Sequence, residues 1–463
     1  MDELAGRRVL VLGLGVTGRS AARFCAERGA RVVAADEREP AALSQLDSLP
    51  RAVETRLGRP FPDPAGFDLV VPSPGVPRER YHDRAAEVAG DVELAFRHLS
   101  VPVIAVTGTN GKSTTTRLIE AMLAHAGLRA RAAGNLGDPA LGLVGEALDV
   151  AVLEVSSFQL EAVSRFHPRV AVVLNLSEDH LDRHGSFQAY ADAKARVFEN
   201  QTPEDVAILN ADDPELRRLA ARTRARVRWF RASEPVDDGA WWDAEALLLA
   251  DPDGLGRFPV ERHHLAGRHN RENAAAALLA AAAVDADPAR AVRALFEFRG
   301  LPHRAELVAC VGGVRFVNDS KATNPGAALR SLGGFASPVV WIAGGRDKGL
   351  DLAALAGVCP QLRGAVLLGE ARPKLAALLA GQTEVREVDE LEQAVEVAAS
   401  LARPGDVVLL APACASLDQF RSFEERGERF RAAVLARLGG RLESRPTRSE
   451  AEPSEVPEPE CER

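Results

Sequence analysis

The tightest constraint on this fold is one string, residues 101–123, "VPVIAVTGTNGKSTTTRLIEAML". A β-branched apolar run passes through a glycine turn directly into a helical stretch. Such a turn aims backbone amides at one point and places a helix N-terminus behind them, which suits a phosphate. In the loop formed by Gly108, Thr109, Asn110, Gly111, Lys112, Ser113 and Thr114, Lys112 would reach the outer phosphates of ATP. The Ser113 hydroxyl would hold Mg²⁺. The loop departs from GxxxxGK[ST]: Val106 stands at the first glycine position and Gly108 is the first glycine. A fully apolar strand of this kind needs parallel neighbours with helices on both faces.

Those neighbours are legible. "RVLVLGLG", "ARVVAAD" and "FDLVVPSPG" alternate with helical stretches at the start of the chain, and "DVAVLEVS", "RVAVVLNLS" and "DVAILNAD" follow the glycine loop. After "FRGLPHR" come "VRFVNDS", "PVVWIAGG", "GAVLLG" and "DVVLLAPA". The stretch from "RARVRWFRASEP" through "DDGAWWDAEALLLADPDG" reads as a β-rich insertion. The expected class is α/β with three domains. Residues 1–95 form an N-terminal Rossmann-like domain. Residues 96–300 form a central P-loop ATPase-like parallel sheet with a small β insertion, and residues 301–440 a C-terminal Rossmann-like domain. Residues 441–463 form a tail: from Ser449 to Glu462 it holds six Glu, three Pro and no basic residue, and is expected to be disordered.

Composition narrows the function classes. A net charge of −9 argues against a nucleic-acid-binding protein, whose affinity rests on cations neutralising phosphates. The basic residues are five lysines against 52 arginines. Where a positive charge alone suffices, this chain uses arginine, so a retained lysine marks a place where a deprotonatable amine matters. Five scattered cysteines without CxxC spacing suggest reduced thiols. "GRRVLVLGLG" follows two acidic residues and lacks a cleavage site, and the alanine-rich run 274–284 is too short to cross a bilayer. A soluble, cytoplasmic chain without membrane attachment is expected, and a monomer.

A second glycine turn, Gly13-x-Gly15-x-x-Gly18, opens a helix after the first strand, with Asp36 ending the next. A nicotinamide or flavin site, another nucleotide, or tight packing alone would each account for it. Two glycine turns in one chain are most simply reconciled if the loop at 108–114 binds ATP and the turn at 13–18 binds a nucleotide-bearing substrate.

Strings along residues 5–435 resemble the Mur ligase family of peptidoglycan synthesis. They include "GLGVTGRS", "PSPGVP", "GTNGKST", "AGNLGDP", "LEVSSFQLE", "NLSEDHLDRH", "YADAKARVF", "LAGRHNREN", "GLPHR", "NDSKATNP", "AGGRDKGLDL" and "APACASLDQFRSFEERGERF". "SSFQL" and "ACASLDQF" point within it to members that add D-glutamate to UDP-N-acetylmuramoyl-L-alanine through an acyl phosphate. Sister ligases adding another amino acid, including folylpolyglutamate synthases, are the nearest alternative, and an NAD-dependent oxidoreductase or a non-catalytic nucleotide-binding regulator the more distant ones.

The resemblance implies roles. Lys112, His180 and Lys194 would be catalytic, and Ser113, Glu154, His180 and Lys194 would hold two Mg²⁺ ions, Lys194 as a carbamate. Asn273, Arg304 and Asp319 would join the phosphate loop in binding ATP. Gly15, Val16, Thr17, Asp36, Ser73, Gly75, Asn135 and Gln159 would bind the UDP-linked substrate. Thr323, Lys348, Ser416, Leu417 and Phe423 would receive D-glutamate. Without the resemblance, His180 reads as a helix-start histidine, Lys194 as a solvated lysine, and Asn273 and Asp319 as cap and turn residues.

Overall fold

A computed structural model of the chain describes residues 3–43, 45–252, 254–260, 267–347, 349 and 351–442. Residues 443–463, most of the expected acidic tail, lie outside these. The chain divides into two compact units, residues 1–263 with 270–298, and residues 264–269 with 299–463.

The first unit holds two sheets. The smaller comprises β1 (Arg8–Leu12), β2 (Arg31–Asp36), β3 (Glu54–Leu57) and β4 (Leu69–Pro72), all parallel, in the order β3-β2-β1-β4. Helix α1 (Val16–Glu27) follows β1. The larger sheet runs β13-β12-β11-β10-β9-β8-β5-β7-β6. Its parallel body is β5 (Val103–Thr107), β6 (Ala130–Gly134), β7 (Val150–Glu154), β8 (Val170–Val173), β9 (Val206–Asn210) and β10 (Arg226–Phe230). The antiparallel insertion is shorter than the sequence suggests. "RVRWF" is β10, paired in parallel with β9, so the main sheet continues through it. Antiparallel pairing begins only between β11 (Gly239–Trp242) and β12 (Ala246–Asp251), and continues to β13 (Gly254–Pro259).

Every residue of β5, β7 and β8 is buried, which is why these strands read as unbroken apolar runs. Polar chemistry is thereby confined to the strand ends. One apolar core runs continuously from Val9 and Val11 of the small sheet to Val103, Leu153 and Val173 of the large one.

Helix α2 (Asp91–His98) joins the two sheets. Glu93, fully buried, accepts hydrogen bonds from the amides of Ser164 (2.9 Å), Arg165 (3.0 Å) and Phe166 (2.9 Å), and from Arg97 Nε at 2.8 Å. Asp91, also buried, accepts from Gln159 Nε2 at 3.1 Å. Each acid thus bolts α2 to the loop region after β7.

The second unit holds one sheet, β14-β15-β19-β16-β17-β18: β14 (Glu306–Val311), β15 (Val314–Asn318), β16 (Val339–Gly344), β17 (Leu362–Leu368), β18 (Val385–Glu387) and β19 (Val407–Ala413). Only β14 is antiparallel. Separate apolar clusters cover its two faces. Cys25, Cys359 and Cys414 are buried free thiols. Among the described residues no helix is long and apolar enough to cross a membrane.

Burial pushes the Asp91 carboxyl up to about 6, against the opposing hydrogen bond from Gln159. Between about pH 4 and 6 the native state keeps a proton that the unfolded chain has released, so this residue makes stability fall as pH rises through that window. Asp91→Asn should raise stability at pH 8, by on the order of 3 kcal/mol at most, and change it little at pH 4. Urea denaturation at the two pH values checks this; an equal effect at both would refute it.

Candidate functional site

The phosphate loop follows β5 and leads into α3 (Lys112–His125). Two of its glycines are obligatory. Gly108 has φ +136°, and a Cβ there would lie 3.1 Å from the Leu174 amide nitrogen. Gly111 has φ +87°, and a Cβ there would lie 2.6 Å from Asn273 Oδ1. Asn273, on the helix Arg268–Ala282, is therefore packed directly against the loop.

The loop is held from the end of β8. Asn175 Oδ1 accepts from the Asn110 amide (2.9 Å), and Asn175 Nδ2 donates to the Asn110 carbonyl (3.0 Å). The Thr109 amide donates to the Asn175 carbonyl, and Thr109 Oγ1 accepts from the Ser177 amide and from Tyr190 hydroxyl at 3.1 Å. With the amides of Thr109 and Asn110 so engaged, phosphate is left to the amides that follow, at the N-terminus of α3, where Ser113 and Thr114 are buried. Asn175 and Tyr190 carried no site signal in the sequence.

Lys112 Nζ donates to the carbonyls of Gly108 and Thr109, each at 2.9 Å. Lys194, on α6 (Phe187–Ala195), is 2 % exposed and donates to the same Gly108 carbonyl at 2.9 Å. Its ammonium lies 4.8 Å from the Tyr190 ring centroid. A solvated-helix reading of Lys194 is overturned: α6 buries its last turn. Desolvation, reinforced by Lys112, holds the Lys194 amine well below the usual lysine range.

Glu154 ends β7, which pairs with β5 so that Glu154 lies opposite Val106. It is buried; Oε1 accepts from Asn135 Nδ2 at 2.7 Å, and Oε2 has no hydrogen-bond partner among the described residues. A buried carboxylate oxygen left bare is costly unless something binds it. His180 starts α5 (Leu181–His184) with φ +53°, its ring 4.8 Å from that of Phe158 and its Nε2 3.8 Å from Asp179 Oδ2. Among the described residues no group of three His, Cys, Asp or Glu could hold a metal alone. Mg²⁺ is the ion that fits such a site: it takes few protein oxygens, such as Ser113 and Glu154, and completes its shell with phosphate and water.

At the first glycine turn, Gly18 cannot carry a side chain, since a Cβ would sit 1.8 Å from the Gly13 carbonyl oxygen. Ser73 Oγ donates to that same carbonyl at 2.8 Å. At Gly15 and Gly75 a Cβ would meet nothing within 4 Å, and the adjacent Val16 is exposed while Thr17 is half-buried. Asp36 is engaged by the protein: it accepts from the Leu14 amide at 2.7 Å and from Arg38 Nε and Nη2 at 2.9 and 2.7 Å. Burial opposes its charge, but these bonds outweigh it and take the carboxyl down to about 2. The cation offered at this strand end is Arg38, which sequence reasoning passed over. Glu37 pairs with Arg80. Gln159 is similarly engaged, closing a capping box with Ser156 at the start of α4 (Ser157–Leu160) and donating to Asp91.

In the second unit, Arg304 precedes β14, Asp319 and Thr323 follow β15, Ser416 and Leu417 follow β19, and Phe423 begins the last helix. Arg304 lies between His303 and Ala305, both left-handed at φ +62° and +47°. Desolvation pushes the Asp319 carboxyl up to about 6, against the opposing pull of Arg304. Thr323 donates its amide to the Lys321 carbonyl, and Lys321 Nζ sits 3.7 Å from the Phe423 ring centroid. Ser416 is buried and Leu417 exposed. Lys348 lies outside the described residues. Arg426, on the helix Phe423–Leu442, is 2 % exposed and also escaped the sequence reading.

The chain thus combines a phosphate loop after β5, a buried lysine sharing that loop's carbonyl and a second α/β unit, three sheets in all. Three family models cover the chain: "Mur ligase MurD-like, N-terminal domain" over residues 7–92, "Mur ligase middle domain" over 106–281 and "Mur ligase, glutamate ligase domain" over 303–414. The UDP-N-acetylmuramoylalanine–D-glutamate ligase of Geobacter metallireducens is 44 % identical over 94 % of this chain and 98 % of its own. That of Pelotomaculum thermopropionicum is 43 % identical over 94 % and 99 %. Among solved structures, MurF ligase from Thermotoga maritima in complex with ADP matches with TM-score 0.60 at 17 % identity, covering 94 % of this chain and all of that one. UDP-N-acetylmuramate–alanine ligase MurC from the same organism gives TM-score 0.59 at 17 % identity over 93 % of this chain and all of that one. The chain belongs to the Mur ligase family.

Asn175→Ala removes both side-chain bonds to Asn110. It should raise the KM for ATP about tenfold and cost about 1–2 kcal/mol of stability, read by ATP-dependent phosphate release and urea denaturation. An unchanged KM for ATP would show that the clamp is dispensable.

Proposed function

We propose that this chain joins D-glutamate to UDP-N-acetylmuramoyl-L-alanine at the expense of ATP. The carrying observation is the carbonyl of Gly108, shared by Lys112 and Lys194, one strand from a buried Glu154 with a bare oxygen. The choice of amino acid is supported by relatives named for D-glutamate addition at 42–44 % identity.

Amide formation needs an activated acyl group, because carboxylate oxygen is a poor leaving group. The alanyl carboxylate attacks the γ-phosphorus of ATP, the bond to the β-phosphate oxygen breaks, and ADP leaves an acyl phosphate behind. The D-glutamate amine then attacks the acyl carbon, and the tetrahedral intermediate expels phosphate with loss of a proton. Lys112 leaves its two loop carbonyls to meet the phosphate oxygens. Ser113 and Glu154, with His180, would hold Mg²⁺, which supplies charge neutralisation between the attacking carboxylate and the γ-phosphate. Lys194, whose amine burial holds well below the usual lysine range, could take up CO₂: its nitrogen would bond the carbon, a proton would leave, and the carbamate oxygens would be available to a metal. Gly15, Val16, Thr17, Ser73 and Gly75, with Arg38, would receive the uridine diphosphate. Asn273, Arg304 and Asp319 would attend the nucleotide, and Thr323, Lys348, Ser416, Leu417 and Phe423 the amino acid. Asp36, Asn135 and Gln159 act by fixing their neighbours.

Phosphate release with UDP-N-acetylmuramoyl-L-alanine and ATP should require D-glutamate, with L-glutamate, L-lysine and diaminopimelate inactive. Turnover with one of those and none with D-glutamate would instead favour a sister ligase. In ¹³C-bicarbonate, the protein should show a carbamate carbon resonance absent from Lys194→Arg. That variant should lose about 100-fold in kcat, the scale of losing a group that supports a catalytic metal. A fully active Lys194→Arg would remove the carbamate from the mechanism.

A further inference from the structure

Arg426 carries a buried charge that no step above uses. Among the described residues, the four hydrogen bonds of its guanidinium go to strand-end segments of the second unit. Nε donates to Ser320 Oγ (3.0 Å), Nη2 to the Ser320 carbonyl (2.9 Å), and Nη1 and Nη2 to the Cys414 carbonyl (3.3 and 3.4 Å). Ser320 Oγ in turn donates to the Phe423 carbonyl at 2.8 Å. A Cβ on Gly345, just beyond β16, would lie 3.1 Å from Arg426 Nη1. One guanidinium therefore bonds the segments after β15 and β19, the adjacent strands followed by Thr323 and Ser416, and lies where a side chain on Gly345, after β16, would press on it.

Those segments are bent where they meet it. Ala413 has φ +60°, and Gly344 and Gly345 have φ +123° and +131°. The glycines adopt such angles freely, but a non-glycine residue such as Ala413 keeps its own only where its surroundings over-determine it. A buried cation is a poor way to gain stability alone, since a well-packed apolar side chain serves as well or better. It is a good way to set the relative places of three carbonyl-bearing turns, because the planar fork has donors at fixed angles that lysine lacks.

We propose that Arg426 is a positioning residue for the amino-acid pocket, holding the Ser320, Cys414 and Gly345 segments in the one arrangement that admits the incoming amino acid. This rests on the reading of Thr323, Ser416, Leu417 and Phe423 as that pocket. It acts through the turns and touches no substrate itself.

The test is Arg426→Lys, which keeps the charge and loses the fork. In steady-state phosphate release, the KM for D-glutamate should rise about tenfold, while those for ATP and UDP-N-acetylmuramoyl-L-alanine stay within about twofold. Discrimination between D- and L-glutamate should weaken in parallel. An unchanged KM for D-glutamate, or an equal rise in all three, would reduce Arg426 to a structural brace and overturn the proposal. Should Arg426→Lys fail to fold, Ser320→Ala removes the Nε acceptor and the bond to Phe423, and should raise the same KM about threefold; no change would overturn the proposal. If the unaltered chain turns over another amino acid in place of D-glutamate, the pocket's substrate is misassigned. The same variants are then read on that amino acid's KM, and the role of Arg426 is still decided.

Discussion

Two lysines donate to a single carbonyl oxygen, that of Gly108. This shared acceptor organises the first unit. One amine starts α3 and the other ends α6, so the carbonyl ties a phosphate-binding helix to a helix from the far side of the loop. Burial, reinforced by the neighbouring Lys112, holds the Lys194 amine well below the usual lysine range. The glycine is needed for the same reason. Its φ of +136° turns the carbonyl toward both lysines, and Leu174 occupies the space a side chain would need.

Around that point, the buried acids separate by what their oxygens already touch. Glu93 has three backbone amides and an arginine, Asp36 an amide and an arginine, and Asp91 a glutamine. Each is satisfied by the protein and shapes a junction. Glu154 has one oxygen on Asn135 and the other bare. A fold does not ordinarily leave a buried carboxylate oxygen without a partner, and the bare Glu154 oxygen is the one that the proposed Mg²⁺ would cover. Burial alone would not have separated these four residues; only the hydrogen-bond inventory does.

Much of the fold was legible because parallel strands covered on both faces are apolar along their middles, and β1, β2, β4, β5 and β7–β9 are, with polar residues only at their ends. The strands that escaped notice lack that signature for physical reasons. β3 (ETRL) is an edge strand facing solvent, β6 (ARAAG) is alanine- and arginine-rich, and β18 (VRE) is three residues long. The start of the insertion was misplaced because β10 carries alternating arginines although it pairs in parallel. For the site, motif residues announced themselves, whereas their supports did not. Asn175, Tyr190, Arg38 and Arg426 act through geometry that a linear string does not carry, since their partners lie 2 to 106 positions away. The scarcity of lysine was the better guide. Lys112 and Lys194 converge on the Gly108 carbonyl, and Lys321 stacks on Phe423. Lys374, which had no role in the sequence, is an exposed partner of Asp347.

The second unit solves a different problem with the same economy of strand ends. Its turns bear residues that must face one small amino acid from several sides, and single-residue kinks such as Ala413 are what re-aim them. A kink in a non-glycine residue is uphill by about 1–3 kcal/mol, so something nearby must hold it. Gly427 shows how tightly that support is packed: a Cβ there would fall 2.2 Å from His303 Nδ1, so the helix carrying Arg426 can approach the strained 303–305 stretch only because its next residue has no side chain. Strain at His303 and Ala305, strain at Ala413, and the buried arginine on the helix Phe423–Leu442 belong to one arrangement. Each bent turn is uphill by itself, and together they are held by a helix that fits against them at a glycine and reaches them with a guanidinium.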